Sequence, residues 1–402
     1  MNLSDLFAIQ ALLLGNLPAT KRYVFERINW NNRLICLYGG RGVGKTTLML
    51  QRLKDFEQEG GKGLYFTADH IQVTAMGIYD IAADFFRHGG EVVFIDEAHK
   101  RPDWAQEIKS LYDSFPNGRL VISGSSALAM QAGKFDLSRR AVYRMLPVLS
   151  FREYLRIVAG REYHSVALET MLRDHQRLAS DVLGSGQVLG HFREYLETGA
   201  YPFLLEGKAE YLQRLENVIE KTLYEDLSLT EGRRAGGIRV MKKLLWLVAT
   251  SPPMQLCIES VARDVGVSRP TIYDYLAVLE RAGLLTTVPP HGHGARLVRK
   301  DSKIFLENTN LLWAISQSLT RTDPQGSLRE TFFVNQLRSV GAQIRVATRG
   351  DFIVDDTYTF EAGGKGKGFA QIGETQDGYV VRDGQEVGHG RVLPLWLFGF
   401  LY

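Results

Sequence analysis

The residues Gly39-Gly40-Arg41-Gly42-Val43-Gly44-Lys45-Thr46 have the spacing G-x-x-x-x-G-K-[ST]. These types suit a triphosphate. Glycines let the backbone curl until its N–H groups point inward. The helix that follows turns its positive dipole end toward phosphate. Lys45 can bridge the β and γ oxygens, and the Thr46 hydroxyl can ligate Mg²⁺. Thr47 completes the candidate contacts.

A second acidic element matches the first. Val92-Val93-Phe94-Ile95 reads as a buried strand that delivers Asp96 and Glu97 to its end. Ligands of parallel sheets sit at that edge. Asp96 would hold Mg²⁺ through its water shell, and Glu97 would orient attacking water. Ser123 and Ser125 end another strand; they could reach the γ-phosphate or serve only as a turn. Arg139 and Arg140 suit charge developing on a transferring phosphoryl group, in their own chain or a neighbour's. A solvated basic turn is the competing explanation.

These residues need a scaffold. Short apolar runs at 33–38, 63–69, 91–97 and 119–126 read as strands, with helices near 45–57, 74–88 and after Pro102. Alternation of this kind predicts an α/β domain with a parallel sheet covered on both faces. The stretches LYGGRGVGKTT, VVFIDEAHKRPDWAQEIKSLYDSF, VISGSSAL and DLSRRAVYRMLPVLSFREYL resemble the prokaryotic AAA-type P-loop ATPases that carry a C-terminal domain of unknown function. Arg139 stands where that family often has Gly, and Arg140 matches its arginine. The resemblance runs over nearly the whole chain and implies an ATP-binding, ATP-hydrolysing core.

Beyond Pro147 the strand pattern stops, and residues 150–230 are helical in period. Residues 231–239, rich in Gly and Arg, read as a linker before a helix over 240–250. Residues 254–308 read as helix, turn, helix and hairpin, strongly resembling a winged helix-turn-helix. Ser268 is its N-cap and Pro270 fits the first turn, with Ile272, Tyr275, Leu276 and Leu279 as the apolar face. Arg269, Thr271 and Tyr273 would then face DNA, with Arg296, Arg299 and Lys300 near phosphates. Acidic residues nearly balance the basic ones there, so a protein contact is an alternative. His291 and His293 lack the ligand count of a metal site and read as a solvated loop.

In the last region Glu330, Asp351, Glu361 and Lys365 resemble the PD-(D/E)xK nuclease layout, where two carboxylates hold Mg²⁺ and a lysine positions water. A lysine two residues after the glutamate would share its face of a strand. Lys365 comes four residues after Glu361, beyond two glycines, so an inactive or altered site is expected. The chain is therefore divided into an AAA-type P-loop domain (1–149), a helical lid or linker (150–235), a winged helix-turn-helix (236–310) and a nuclease-like α/β domain (311–402).

Composition sets limits. Of 402 residues 45% are hydrophobic and 23% charged, which excludes a mostly disordered chain; the net charge of +3 does not predict a nucleic-acid coat protein. Two cysteines, Cys36 and Cys257, make no disulfide framework and point to a reducing compartment, taken as the cytoplasm. No secretory signal or membrane span is expected. ATP and Mg²⁺ are the expected cofactors; DNA, a protein partner or further copies of the chain are the candidate partners. The leading function is an ATPase that couples nucleotide state to the C-terminal region. The alternatives are a non-hydrolysing ATP switch and an ATP-regulated nuclease.

Overall fold

The computed structural model describes residues 3–124, 137, 139–184, 186–227, 235–251, 258–292, 302–319, 324–373, 375 and 377–402. It divides into two compact units, Met1–Pro147 with Tyr224–Gly232, and Val148–Leu223 with Arg233–Tyr402.

The first unit is an α/β layer structure. Its strands are β1 (Leu34–Tyr38), β2 (Gly63–Thr67), β3 (Val92–Asp96), β4 (Arg119–Gly124) and β5 (Val142–Met145). They form one sheet in the order β2-β3-β4-β1-β5, every pairing parallel. Helices α1 (Ser4–Gly15), α2 (Val24–Arg27), α3 (Lys45–Gln58), α4 (Ile71–Met76), α5 (Ile78–Arg87) and α6 (Trp104–Ser114) accompany it.

Strand alternation sorts the side chains. Cys36, Phe66, Ile95 and Ile122 share a core with Ile81, Phe85, Trp104, Ile108 and Leu111 of α5 and α6. Helix α3 packs against β2, β3 and β4 through a stripe that includes buried Leu48, Met49 and Leu53. Two departures from the sequence reading have local causes. Gly77, at φ +100°, divides the expected 74–88 helix into α4 and α5. Strand β5 escaped notice because VYRM lacks an apolar run, yet it pairs with β1.

The second unit begins with helices α7 (Phe151–Ala159), α8 (Leu168–Leu183), α9 (Val188–Thr198) and α10 (Tyr211–Lys221), then α11 (Ala235–Thr250). Helix α11 starts earlier than the 240 expected, so much of the supposed linker is helical; residues 231–234 lie outside the described set. Next come α12 (Ile258–Val265), α13 (Arg269–Arg281), and β6 (Leu285–Val288) antiparallel to β7 (Lys303–Leu306). Helices α14 (Thr309–Leu319) and α15 (Gln325–Ser339) lead to β8 (Ile344–Val346), β9 (Phe352–Val354), β10 (Tyr358–Gly363), β11 (Gly378–Arg382) and β12 (Val392–Pro394).

The last five strands form a mixed sheet in the order β12-β11-β10-β9-β8. Phe333 of α15 lies against the rings of Phe352, Phe360 and Phe398, with centroids 5.4, 5.2 and 4.9 Å away. The apolar terminus is a strand followed by a buried 3₁₀ turn, Leu395–Phe400.

One polar knot sits among the helices. Asn310 is fully buried. Its Oδ1 accepts from the Ala200 amide at 2.7 Å and the Tyr211 hydroxyl at 2.5 Å. Its Nδ2 donates to the carbonyls of Tyr195 and Leu196, both at 2.9 Å. The Asn308 side chain accepts from the Asn310 and Leu311 amides, capping α14. Four bonds to one amide join α9, α10 and α14, a specificity that apolar packing alone does not impose.

Candidate functional site

The carboxyl edge of the first sheet gathers the expected groups. β1 runs directly into the glycine loop, and α3 begins at Lys45. Gly42 and Gly44 take φ of +80° and +95°, conformations that glycine adopts without strain. At Gly39 a Cβ would come 2.3 Å from the Leu146 carbonyl oxygen, so only glycine fits. Lys45 is buried and donates to the carbonyls of Gly39 (3.0 Å) and Gly40 (2.9 Å). Arg22, which the sequence did not flag, donates to the carbonyls of Val43 (2.8 Å) and Pro147 (3.0 Å) and so braces the loop.

Asp96 is the focus. Its Oδ2 accepts from Thr46 Oγ1 at 2.5 Å and from the Tyr65 hydroxyl at 3.0 Å. Its Oδ1 accepts from Ser123 Oγ and from the Glu97 amide at 3.1 Å. A carboxylate only 3% exposed is thus ringed by hydroxyl and amide donors, with oxygens of the kind that a hard cation or its water shell accepts. Tyr65 carried no sequence signal, since a tyrosine inside an apolar strand reads as core. Burial, reinforced by the neighbouring Asp96 charge, pushes its hydroxyl far above the usual tyrosine range, so it stays a donor.

Glu97 follows with φ +51°, left-handed for a non-glycine residue. Such strain costs about 1–3 kcal/mol and collects at functional sites. It is held because the Glu97 amide is also fixed by Ser123 Oγ at 3.1 Å. Among the described residues, Glu97 Oε2 is buried and makes no hydrogen bond; the nearest cation-capable group is His99 Nε2 at 3.7 Å. An acceptor left open at the sheet edge is placed to take a proton from water.

Other expected residues stand differently. Arg140 makes a bidentate pair with Asp113 of α6, at 3.1 and 3.0 Å. Arg41 pairs with Glu225 at 3.2 Å, and Glu225 belongs to the segment Tyr224–Gly232 of the same unit. Glu225 is half exposed, so the pair contributes about 0–1 kcal/mol and is no structural anchor. Ser125 lies outside the described residues.

Residues 31–155 match the family described as AAA domain. The chain carries an AAA-type P-loop ATPase domain. Downstream of that AAA domain, residues 189–322 match a domain of unknown function, DUF8612. The uncharacterized protein MJ1637 of Methanocaldococcus jannaschii is 29% identical over 292 residues, which are 69% of this chain and 61% of that protein. This chain therefore spans less than two thirds of that relative. Among solved structures, the Walker-type ATPase PABY2304 of Pyrococcus abyssi has 13% identity and a TM-score of 0.44, covering 75% of this chain and 99% of that one. AMPPCP-bound DnaA from Aquifex aeolicus has 13% identity and a TM-score of 0.28, covering 66% and 90%.

In the second unit, α12 and α13 form a helix pair followed by the two-stranded β6–β7 sheet. Ser268 caps α13, and Ile272, Leu276 and Leu279 are buried, while Tyr275 is only partly so. Arg269 pairs with Glu259 at 2.6 Å, and Thr271 shares a hydrogen bond with the Ser268 side chain, leaving Tyr273 as the exposed aromatic. Arg296, Arg299, Lys300 and His293 lie outside the described residues. His291 faces Asp356 at 3.7 Å.

The C-terminal carboxylates do converge, but with a different lysine. Lys367, not Lys365, meets Glu361 at 2.5 Å and Asp351 at 3.9 Å. A turn from Gly364 to Lys367, closed by the Lys367 amide on the Gly364 carbonyl at 3.0 Å, folds the second lysine of the run back over β10. Lys303 adds a bridge to Glu330 at 3.1 Å and Asp351 at 3.6 Å. Ammonium groups lie between the carboxylates. Among the described residues no group of three or more His, Cys, Asp or Glu could hold a metal ion.

Burial raises the Glu330 carboxyl to about 7 against the opposing charge of Lys303. Burial likewise raises Glu361, with Lys367 opposing. The folded state therefore holds a proton on Glu330 that the unfolded state releases near 4.5, so its contribution is present at low pH and fades as pH rises through about 7. Glu330→Gln is expected to remove on the order of 3 kcal/mol of that loss between pH 5 and 8. Urea unfolding of both chains at the two pH values measures it; equal slopes with pH would refute it.

No helix among the described residues is long and apolar enough to cross a membrane.

Proposed function

We propose that the chain is a Mg²⁺-dependent ATPase whose nucleotide state governs a winged-helix and nuclease-like region that contacts DNA. One observation carries the reading. Asp96 collects the Thr46, Ser123 and Tyr65 hydroxyls beside the glycine loop, while Glu97 keeps an unbonded carboxylate oxygen.

The loop amides and Lys45 bind the phosphates. Thr46 and Asp96 would hold Mg²⁺, which supplies neutralisation of the β and γ oxygens. Glu97 orients water and accepts its proton as the water oxygen bonds the γ-phosphorus and the bridge to ADP breaks. Arg140, released from its Asp113 pair, would meet charge developing on the γ-phosphoryl, in its own chain or a neighbour's. Arg41 and Glu225 favour coupling: Glu225 meets Arg41 of the phosphate loop, and it follows closely on Leu223 of the second unit in the chain.

The capped helix α13 with exposed Tyr273 supports the winged-helix reading. The lysines between Glu330, Asp351 and Glu361 favour a nuclease-like fold without cleavage over an active nuclease. Phosphate release from ATP should require Mg²⁺ and stop in EDTA. Duplex DNA should shift in a gel at low salt and be released as salt rises. Metal-independent turnover would refute the first, and absence of any shift at low salt the second.

A further inference from the structure

We propose that a cleft of about 450 Å³ in the second unit binds a phosphate group carried by an organic molecule. It lies between α9 and the amino-terminal turn of α15, and Lys365, Asp383 and Gly384 close it. Phe192, Leu196 and Leu328 give it an apolar lining. Arg193, Arg329 and Lys365 give it positive charge against two acidic residues, Glu197 and Asp383. The volume falls in the range of small-ligand sites, about 300–1,000 Å³, and the mixture of apolar wall with a few converging polar groups is typical of them.

Arg329 is held within the protein by an ion pair, while Arg193 and Lys365 are left for an anion. Arg329 Nε donates to Asp383 Oδ2 at 2.8 Å and Nη2 to Gln325 Oε1 at 2.9 Å. Those bonds fix the guanidinium plane, while Nη1 makes no hydrogen bond among the described residues. An arginine oriented by a carboxylate and keeping a free donor suits planar recognition of phosphate. Asp383 is further occupied by the Gly384 amide, at 2.7 Å. Arg193 and Lys365 are exposed and have no hydrogen bond or ion pair among the described residues.

Two glycines lie against these side chains. Gly384 has φ +69°, and a Cβ there would come 2.9 Å from Lys365 Cε. At Gly364 a Cβ would sit 3.4 Å from Arg329 Nη1. The run Gly363-Gly364-Lys365-Gly366-Lys367-Gly368 thereby splits its lysines, Lys367 to Glu361 and Lys365 to the cleft. The first turn of α15 holds no acidic residue, so its amino end adds positive potential where Gln325 and Leu328 line the cleft.

The test uses the full chain with its phosphate loop saturated by Mg²⁺-ADP. Calorimetry is run with thymidine, thymidine 5′-monophosphate and a 5′-phosphorylated hexathymidylate. The monophosphate is expected to bind and thymidine not to. Lys365→Ala and Arg193→Ala should each weaken binding at least tenfold, and because both side chains are exposed each variant should keep the parent's melting temperature. Lys45→Ala should leave this binding intact, which separates it from the AAA-domain site. A hexathymidylate that binds far more tightly than the monophosphate assigns the phosphate to a nucleic-acid strand, and equal affinity assigns it to a free small molecule. The proposal is overturned if neither phosphorylated probe binds, or if the Arg193→Ala, Lys365→Ala double variant binds them as the parent does.

Discussion

Lys45→Ala is expected to weaken ATP binding about a hundredfold, whereas Glu97→Gln should bind ATP normally and hydrolyse it 10²–10⁴-fold more slowly. The two effects separate because the side chains act at different stages. Lys45 enters α3 from a loop whose shape is set by Gly39, Gly42 and Gly44, and its ammonium already reaches the Gly39 and Gly40 carbonyls. Charge-assisted hydrogen bonds contribute about 1.5–3 kcal/mol, and the upper value corresponds to roughly two decades of affinity. Glu97 makes no bond that the loop needs; its backbone amide, which a glutamine keeps, is the part tied to Asp96 and Ser123. Glutamine keeps the shape and loses the proton acceptor. Calorimetry for binding and phosphate release for turnover check both. Tight ATP binding by a folded Lys45→Ala chain would remove Lys45 from its role, and full turnover by Glu97→Gln would remove Glu97 from its own.

The second large effect concerns stability. Asn310→Ala is expected to cost on the order of 4–6 kcal/mol in the second unit. It would strand the Ala200 amide, the Tyr211 hydroxyl and the Leu196 carbonyl in a buried region, while the Tyr195 carbonyl keeps the Gly199 amide. Each buried unsatisfied group costs about 1–3 kcal/mol. A native domain has only about 5–15 kcal/mol in total. Asn310→Leu fills the volume but satisfies none of these groups, so it should fare no better. Calorimetric unfolding of the full chain would show the second unit's transition moving down while the nucleotide-stabilised transition of the first unit stays. A shift of under 1 kcal/mol for both variants would mean that the knot is incidental.

The candidate nucleotide site was legible because its pattern is local. Glycine loop, lysine and threonine are adjacent in the chain, and four apolar residues necessarily carry Asp96 to a strand end. Tyr65 and Arg22 were not legible. Each acts through a partner distant in sequence, and neither residue type nor spacing distinguishes a tyrosine that bonds Asp96 from one that fills a core. Strand β5 was missed for a related reason: an edge strand with a single paired neighbour can be polar. At the C-terminus, Glu330, Asp351 and Glu361 were singled out and do share one cluster, but the lysine was misassigned. A strand's two-residue alternation does not hold past Gly363, where the chain turns.

By itself the sequence determined the parallel α/β layering, the phosphate loop and the acidic strand end, since periodicity and glycine conformations act over a few residues. Only the tertiary structure decided which groups surround Asp96, that Lys367 and Lys303 occupy the carboxylate cluster, and that Lys365 turns to a cleft with Arg193 and Arg329. Those outcomes depend on where strands and helices far apart in the chain come to rest. Hydrogen bonds act over a few ångströms and screened charges over about 10 Å, so no pattern along the chain encodes their partners.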